Sequence, residues 1–190
     1  MFAYMSRIQS PRLLLSIVGL MFLTFLSFNT HSQNEVKDDD LPKFRGAIMM
    51  ANSHVPAATE AGKKVAIIPT WGFDFDYFFH KRWSVALQGD VKLQSFEIED
   101  NNTLLKRNYP FTAAVALHFH LKKHWSFYAG PGYEFEPNKN LSLVKFGTEY
   151  SFEMTDNFEI ALNLIYENKQ NVYDSWTFGI AFNRKLWSKI

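Results

Sequence analysis

Three segments of the chain repeat one spacing: an apolar residue, three polar or basic residues, then a large aromatic that opens an alternating run. They are Phe79-His80-Lys81-Arg82-Trp83, Leu121-Lys122-Lys123-His124-Trp125 and Met154-Thr155-Asp156-Asn157-Phe158. Side chains along a strand alternate faces with period two, so an even step across a tight turn keeps both flanking residues on one face of a sheet. The spacing predicts three hairpins with short turns, each with an apolar–aromatic pair at its base. The connectors between these hairpins are longer and more polar.

From Phe44 onward, eight runs read as strands: Phe44–His54, Val65–Phe79, Trp83–Ile98, Tyr109–Leu121, Trp125–Glu136, Leu143–Met154, Phe158–Glu167 and Ser175–Arg184. The third alternates most cleanly, with Trp83, Val85, Leu87, Gly89, Val91 and Leu93 opposite Ser84, Ala86, Gln88, Asp90, Lys92 and Gln94. The seventh sets Phe158, Ile160, Leu162, Leu164 and Tyr166 against Glu159, Ala161, Asn163, Ile165 and Glu167. Such alternation marks strands rather than helices. The first run, FRGAIMMANSH, alternates poorly. Several runs exceed the usual strand length and match the roughly 9–11 residues of a tilted membrane-crossing strand. An even count suits a closed sheet with both ends on one side, and closure matters because lipid cannot hydrogen-bond an open edge. The loops expected on the far side are Pro56–Lys64, Glu99–Asn108, Pro137–Asn140 and Asn168–Asp174.

Ahead of these runs, Arg7 and Arg12 precede an apolar stretch, Leu13 to Phe28, followed by small residues at Thr30 and Ser32. This reads as a secretory signal over residues 1–32, cleaved to leave Gln33 at the start. The stretch is shorter than the roughly 20 residues of a spanning helix. Residues 33–43 read as a polar, acidic, disordered leader, and residues 44–187 as one barrel. Without Arg7 and Arg12 the chain carries 18 basic and 19 acidic residues, a net of −1. That balance argues against nucleic acid as a partner. The chain has no cysteine, so it has neither a disulfide framework nor a thiolate site.

Which face points inward follows from side-chain size. The polar face also carries Gly72, Ala86, Ala114, Ala116, Gly130, Gly132, Gly147, Gly179 and Ala181. The other carries aromatics, among them Trp71, Phe73, Phe75, Trp83, Phe111, Trp125, Phe127, Tyr150, Trp176 and Phe178. The interior of an eight-stranded barrel is just wide enough for side chains to fill it. It takes the small and polar set but not the aromatic one. The aromatic face therefore lies outside, and a face that apolar in water would aggregate. The expected fold is all-β: a single up-and-down antiparallel eight-stranded transmembrane β-barrel.

On the signal segment, the alternation and the turns at His80–Arg82, Lys122–His124 and Thr155–Asn157, the region 44–187 resembles the small eight-stranded outer-membrane barrel proteins. The resemblance implies both termini in the periplasm and outer-membrane lipid and lipopolysaccharide as surroundings. It further implies the barrel-assembly machinery as a partner during biogenesis, and a monomer. It implies a role in envelope structure, surface interaction or minor solute passage, with no assigned catalytic activity. Some members modify lipid or lipopolysaccharide, which is the alternative. A soluble lipocalin-like carrier, apolar inside, is a third reading. Members often end on an aromatic; here Trp187 is followed by Ser188-Lys189-Ile190.

The candidate site is a polar network in the lumen: Asp74, Asp76, Asp90, Lys92, Glu134, Lys145 and Glu149, joined on the same face by Glu136, Glu153 and Glu159. Opposite charges in a narrow lumen attract strongly but are costly to desolvate. They are expected to pair as a structural plug rather than to line an ion path. Acids outnumber bases in this set. His118 and His120 share the predicted inner face at metal-ligand spacing, but no third ligand is evident, so they are assigned to a polar rim beside His80 and His124. No metal or cofactor is expected. Ser53, His54 and Glu60 supply the residue types of a lipid-modifying enzyme, yet adjacent Ser53 and His54 face opposite ways in a strand. Gly130-Pro131-Gly132 lacks a following helix and P-loop lysine, so it is expected to be a bulge or bend in the fifth strand. Pro69 and Pro110 are expected at a bulge or a strand end.

Overall fold

The structure, a computed structural model, describes residues 43–59, 62–100, 103–121, 124–170 and 172–187. The expected signal segment, and the leader up to residue 42, lie outside the described residues. Among the described residues ten strands follow in chain order: β1 Phe44–Thr59, β2 Gly62–His80, β3 Trp83–Lys92, β4 Phe96–Asp100, β5 Thr103–Arg107, β6 Phe111–His120, β7 Trp125–Phe135, β8 Leu141–Thr155, β9 Phe158–Lys169 and β10 Tyr173–Trp187. Eight of them close into an antiparallel up-and-down barrel, in the order β1-β10-β9-β8-β7-β6-β3-β2. Strands β4 and β5 form a separate hairpin. Pairing of β1 with β10, from Phe44 opposite Trp187 to His54 opposite Trp176, closes the barrel.

The three short turns form as the spacing predicts. In the β2–β3 turn His80 pairs with Trp83 and the register steps past Phe79. In the β8–β9 turn Thr155 pairs with Phe158 and the register steps past Met154. One bulged residue plus a two-residue turn accounts for the even step. Between β6 and β7, Leu121 N donates to Trp125 O at 2.9 Å. Phe79, Leu121, Trp125 and Met154 are all exposed on the outer face.

At the other end the structure corrects the expected boundaries. The third run stops at Lys92, not Ile98. Its flanks explain why. Leu93 N donates to Pro69 O at 2.8 Å and Lys92 N to Pro110 O at 3.1 Å. Neither proline has an N–H to return, so the ladder on both sides of β3 runs out of donors here. The chain then leaves the wall, and the expected loop 99–108 becomes part of the β4–β5 hairpin. The expected loop Pro56–Lys64 also shrinks, because β1 and β2 continue pairing to Thr59 opposite Gly62. Gly62 sits at φ +116°, which only glycine adopts readily. The fifth strand has no bulge: Ala114 opposite Gly132 and Leu117 opposite Ala129 keep one register across Gly130-Pro131. A Cβ on Gly130 would lie 1.9 Å from Val115 O, so the missing side chain lets β6 approach.

The first run alternates poorly because both of its faces are mixed. Arg45, Ala47, Met49, Ser53 and Val55 are buried inside, while Ile48, Met50 and Asn52 face out. Elsewhere the outer face is apolar, with exposed Trp71, Phe73, Phe75, Trp125, Phe127, Phe146, Trp176 and Phe178. Aromatic contacts gather toward the two ends of this face. Trp83 with Phe119 and Trp125 with Tyr150, each at 4.9 Å, lie near the short turns; Tyr166 with Trp176 at 4.8 Å lies near the long-loop end. Exposed Leu87, Val115, Leu117, Leu162 and Ile180 lie between them. An aliphatic band between aromatic girdles is the surface that a bilayer solvates. With the polar face inside, the arrangement of a soluble carrier is not the one the chain adopts.

Candidate functional site

The alternation that puts aromatics outside delivers the charges to the lumen, where they sort into layers. Nearest the short turns, Arg45 of β1 is the hub. Its Nε lies 3.0 Å from Asp76 Oδ2, and its Nη1 lies 2.8 Å from Glu149 Oε1 and 3.7 Å from Glu159 Oε2. Ser151 Oγ and Asn183 Nδ2 donate to the same Glu149 oxygen at 3.1 and 3.3 Å. Lys185 Nζ meets Glu159 Oε1 at 3.2 Å.

Above this layer the lumen mixes apolar side chains with buried Gln88, His118 and Asn163. Met49, Ala116, Tyr128, Ala161, Ile165 and Ala181 pack together. The Tyr128 ring stacks on His118 with centroids 4.5 Å apart. Gly147 makes room for it, since a Cβ there would sit 2.1 Å from Tyr128 Cζ.

A second ionic layer follows. Lys145 Nζ lies 2.6 Å from Asp90 Oδ2 and 3.3 Å from Glu167 Oε1. Lys92 Nζ lies 3.4 Å from Glu167 Oε2 and 3.9 Å from Asp90 Oδ1. Lys169 Nζ reaches Glu167 Oε2 at 2.7 Å and Glu134 Oε2 at 3.7 Å, and donates to Ser175 Oγ at 2.9 Å. Tyr173 OH donates to Glu134 Oε2 at 2.6 Å.

The hairpin closes this end. Phe96 and Ile98 of β4 pack with Val55, Ile68, Leu141 and Tyr173. Arg107, the last residue of β5, is fully buried. Its guanidinium pairs with Glu134, meets Glu136 Oε2 at 3.3 Å and donates to the Lys139 carbonyl. Glu136 in turn accepts from the backbone N–H groups of Asn108, Asn138 and Lys139 at 3.2, 2.9 and 3.3 Å. The hairpin is thus tied down by a charged anchor and an apolar underside. Burying these charges would cost several kcal/mol per ion if they were unpaired, so pairing is a condition of the fold.

Of the residues expected from the sequence, Asp90, Lys92 and Lys145 meet directly. Glu134 joins their layer through Lys169, and Asp76 and Glu149 share Arg45. Asp74 is half-buried on the lumen face and enters none of these ion pairs. Glu136 belongs to the hairpin anchor, Glu159 to the Arg45 layer, and Glu153, paired with Glu159 across β8 and β9, is exposed. Arg45, Arg107, Glu167 and Lys169 were not among the expected set. They supply three of the missing cations. The layer under the hairpin then balances, with Lys92, Arg107, Lys145 and Lys169 against Asp90, Glu134, Glu136 and Glu167.

The histidines are placed differently from the rim assignment. His118 is buried in the lumen with Nδ1 3.8 Å from Asp76 Oδ1, and stacks on His120 at 6.1 Å. His120 Nε2 lies 2.9 Å from Ser84 Oγ. Among the described residues no group of three or more His, Cys, Asp or Glu side chains is arranged to hold a metal ion. Ser53 points inward and shares hydrogen bonds with Thr70 and Thr177 at 2.8 and 2.7 Å. His54 lies on the other face, edge-on to Phe178 at 5.4 Å, and Glu60 lies outside the described residues.

No protein-family model matches the sequence, and no curated protein matches it. Solved structures do match. The outer membrane protein OprG from Pseudomonas aeruginosa aligns with a TM-score of 0.53 at 12% identity, covering 78% of this chain and 99% of that one. Neisserial surface protein A aligns with a TM-score of 0.51 at 12% identity, covering 76% of this chain and 97% of that one. At such identities the likeness is one of fold. Together with the closed eight-strand sheet and its apolar outer face, it gives the chain the fold of the small eight-stranded outer-membrane β-barrels.

Proposed function

We propose that the protein is a monomeric integral outer-membrane barrel with a sealed lumen, serving the envelope as a structural and surface-interaction element. Its surroundings are outer-membrane lipid and lipopolysaccharide, and the barrel-assembly machinery inserts it. Both termini lie in the periplasm. The observation that carries this reading is the filled lumen: two ionic layers, the Tyr128 layer between them and the Arg107-anchored hairpin above. Of the roles expected from the sequence, solute passage fits a filled lumen worst. The long-loop end presents Val65, Ile67, Leu104 and Tyr109 exposed, which suits surface interaction. The Ser84–His120 pair is inside the barrel rather than on the lipid face, so it does not favour lipid chemistry.

Two measurements test this reading. Fractionated cells should hold the protein in the outer membrane. Lipid A from cells with and without the protein should give the same mass spectrum. A change in acylation or headgroup that follows the protein would replace the structural role with an enzymatic one.

A further inference from the structure

Among the described residues, the exposed cations at the short-turn end are not spread evenly. Arg184 lies on β10, Lys43 directly before β1, and Arg82 in the β2–β3 turn; all three are exposed. Strands β10, β1, β2 and β3 are successive neighbours in the barrel, so these residues form one arc. Backbone pairing fixes their spacing: Gly46 pairs with Arg184, and Phe78 N donates to Lys43 O at 3.1 Å. Among the described residues, the exposed acids of this end are Glu153, near the end of β8, and Asp156 in the β8–β9 turn. The long-loop end is mixed instead, with Lys64, Lys106 and Lys139 among Glu97, Glu99, Asp100 and Asp174, and with Lys139 paired to Asp100.

The arc also sits at girdle height. Arg184 projects from the outer face opposite Phe158, whose ring lies 6.4 Å from that of Phe182. Lys43 Nζ stands 6.0 Å from the Phe44 ring, which lies 5.5 Å from Phe75 and 5.3 Å from Tyr77. Aromatics at this level mark the headgroup zone, where long cationic side chains extend to phosphate.

We propose that this arc is a binding surface for the phosphate headgroups of anionic phospholipids in the leaflet on the short-turn side. The inference rests on the outer-membrane reading above. Phospholipid is favoured over lipopolysaccharide because the cations gather at the short-turn, periplasmic end. A zwitterionic headgroup brings its own cation toward Arg82 and Arg184, whereas phosphatidylglycerol brings none. The attraction is electrostatic and is screened by salt.

The test uses the folded barrel in phosphatidylcholine nanodiscs carrying a trace of spin-labelled phosphatidylglycerol or phosphatidylcholine. The immobilised fraction is read by electron spin resonance. The wild type should favour phosphatidylglycerol by about fivefold, the effect of roughly one well-placed cation. The preference should fall toward one at high salt and in Arg82→Ala/Arg184→Ala. It should survive in Lys64→Ala/Lys106→Ala, which alters the other end. Equal immobilisation of both lipids by the wild type, or equal losses in the two double variants, would overturn the proposal. Both leaflets of the nanodisc have one composition, so this result does not depend on orientation. A wrong orientation shows up separately in whole-cell labelling. The salt response of the wild type keeps the proposal testable even if the arginine variant folds poorly.

Discussion

Replacing Arg107 with alanine probes the anchor that holds the hairpin over the barrel. The guanidinium is fully buried and meets Glu134, Glu136 and the Lys139 carbonyl. Removing one partner of a buried ion pair costs about 3–5 kcal/mol, because the remaining charge stays desolvated. Here both carboxylates keep other donors. Glu134 retains Tyr173 OH at 2.6 Å and Lys169 at 3.7 Å, and Glu136 retains three backbone N–H groups and Asn138 Nδ2 at 3.0 Å. The loss should therefore fall at the low end, about 3 kcal/mol. Phe96 and Ile98 still pack beneath the hairpin, so the barrel itself should persist. Part of the loss should appear as local opening of the hairpin ahead of global unfolding. Urea unfolding in phospholipid vesicles measures the global change, and hydrogen exchange at Ile98 and Leu105 measures the local one. Arg107→Lys should fall in between, since lysine keeps a charge but not the forked geometry. An Arg107→Ala variant within about 0.5 kcal/mol of wild type, with hairpin amides exchanging at the wild-type rate, would refute the anchor.

Three further outcomes follow from the same structure. Lys92→Ala and Lys145→Ala should each lower the unfolding free energy by about 3 kcal/mol, because Asp90 and Glu167 lose a cation in a buried layer; unchanged midpoints in both would remove the ion-pair network. Gly147→Ala should cost about 1–3 kcal/mol by driving Tyr128 off His118, and Tyr128→Leu on top of it should recover much of the loss; simple additivity of the two changes would contradict that packing. A cysteine at Asn102 should react with an impermeant thiol reagent on intact cells, and one at Lys123 only after the outer membrane is permeabilised; equal labelling would reverse or void the topology.

Most of the barrel wall was legible because period-two alternation is a local signal. Trp83 to Lys92 announces its faces residue by residue, and the three short turns are encoded within five residues each. The lumen was legible wherever parity held. Glu167 already stood on the polar face of its run, and Lys169 lies two residues on, so extending that strand by one pair would have found both. Arg45 was hidden by a first strand that mixes Met49 inside with Asn52 outside. Arg107 had no sequence signal at all. It reaches Glu134 only because Pro69 and Pro110 end β3 early and the released chain folds back over the mouth. That is a long-range event, and it turned an expected loop into the cap of the barrel. His118 kept its predicted face but not its predicted depth, because Tyr128 stacks against it only when β6 and β7 are assembled.

Conductance of purified protein in planar bilayers tests the central claim most directly. The proposed seal rests on paired charges in an eight-stranded lumen and on the Arg107-held hairpin at one end. The wild type should insert with little or no steady current across a broad range of voltage. A large, long-lived single-channel current from correctly folded wild-type protein would contradict the sealed barrel.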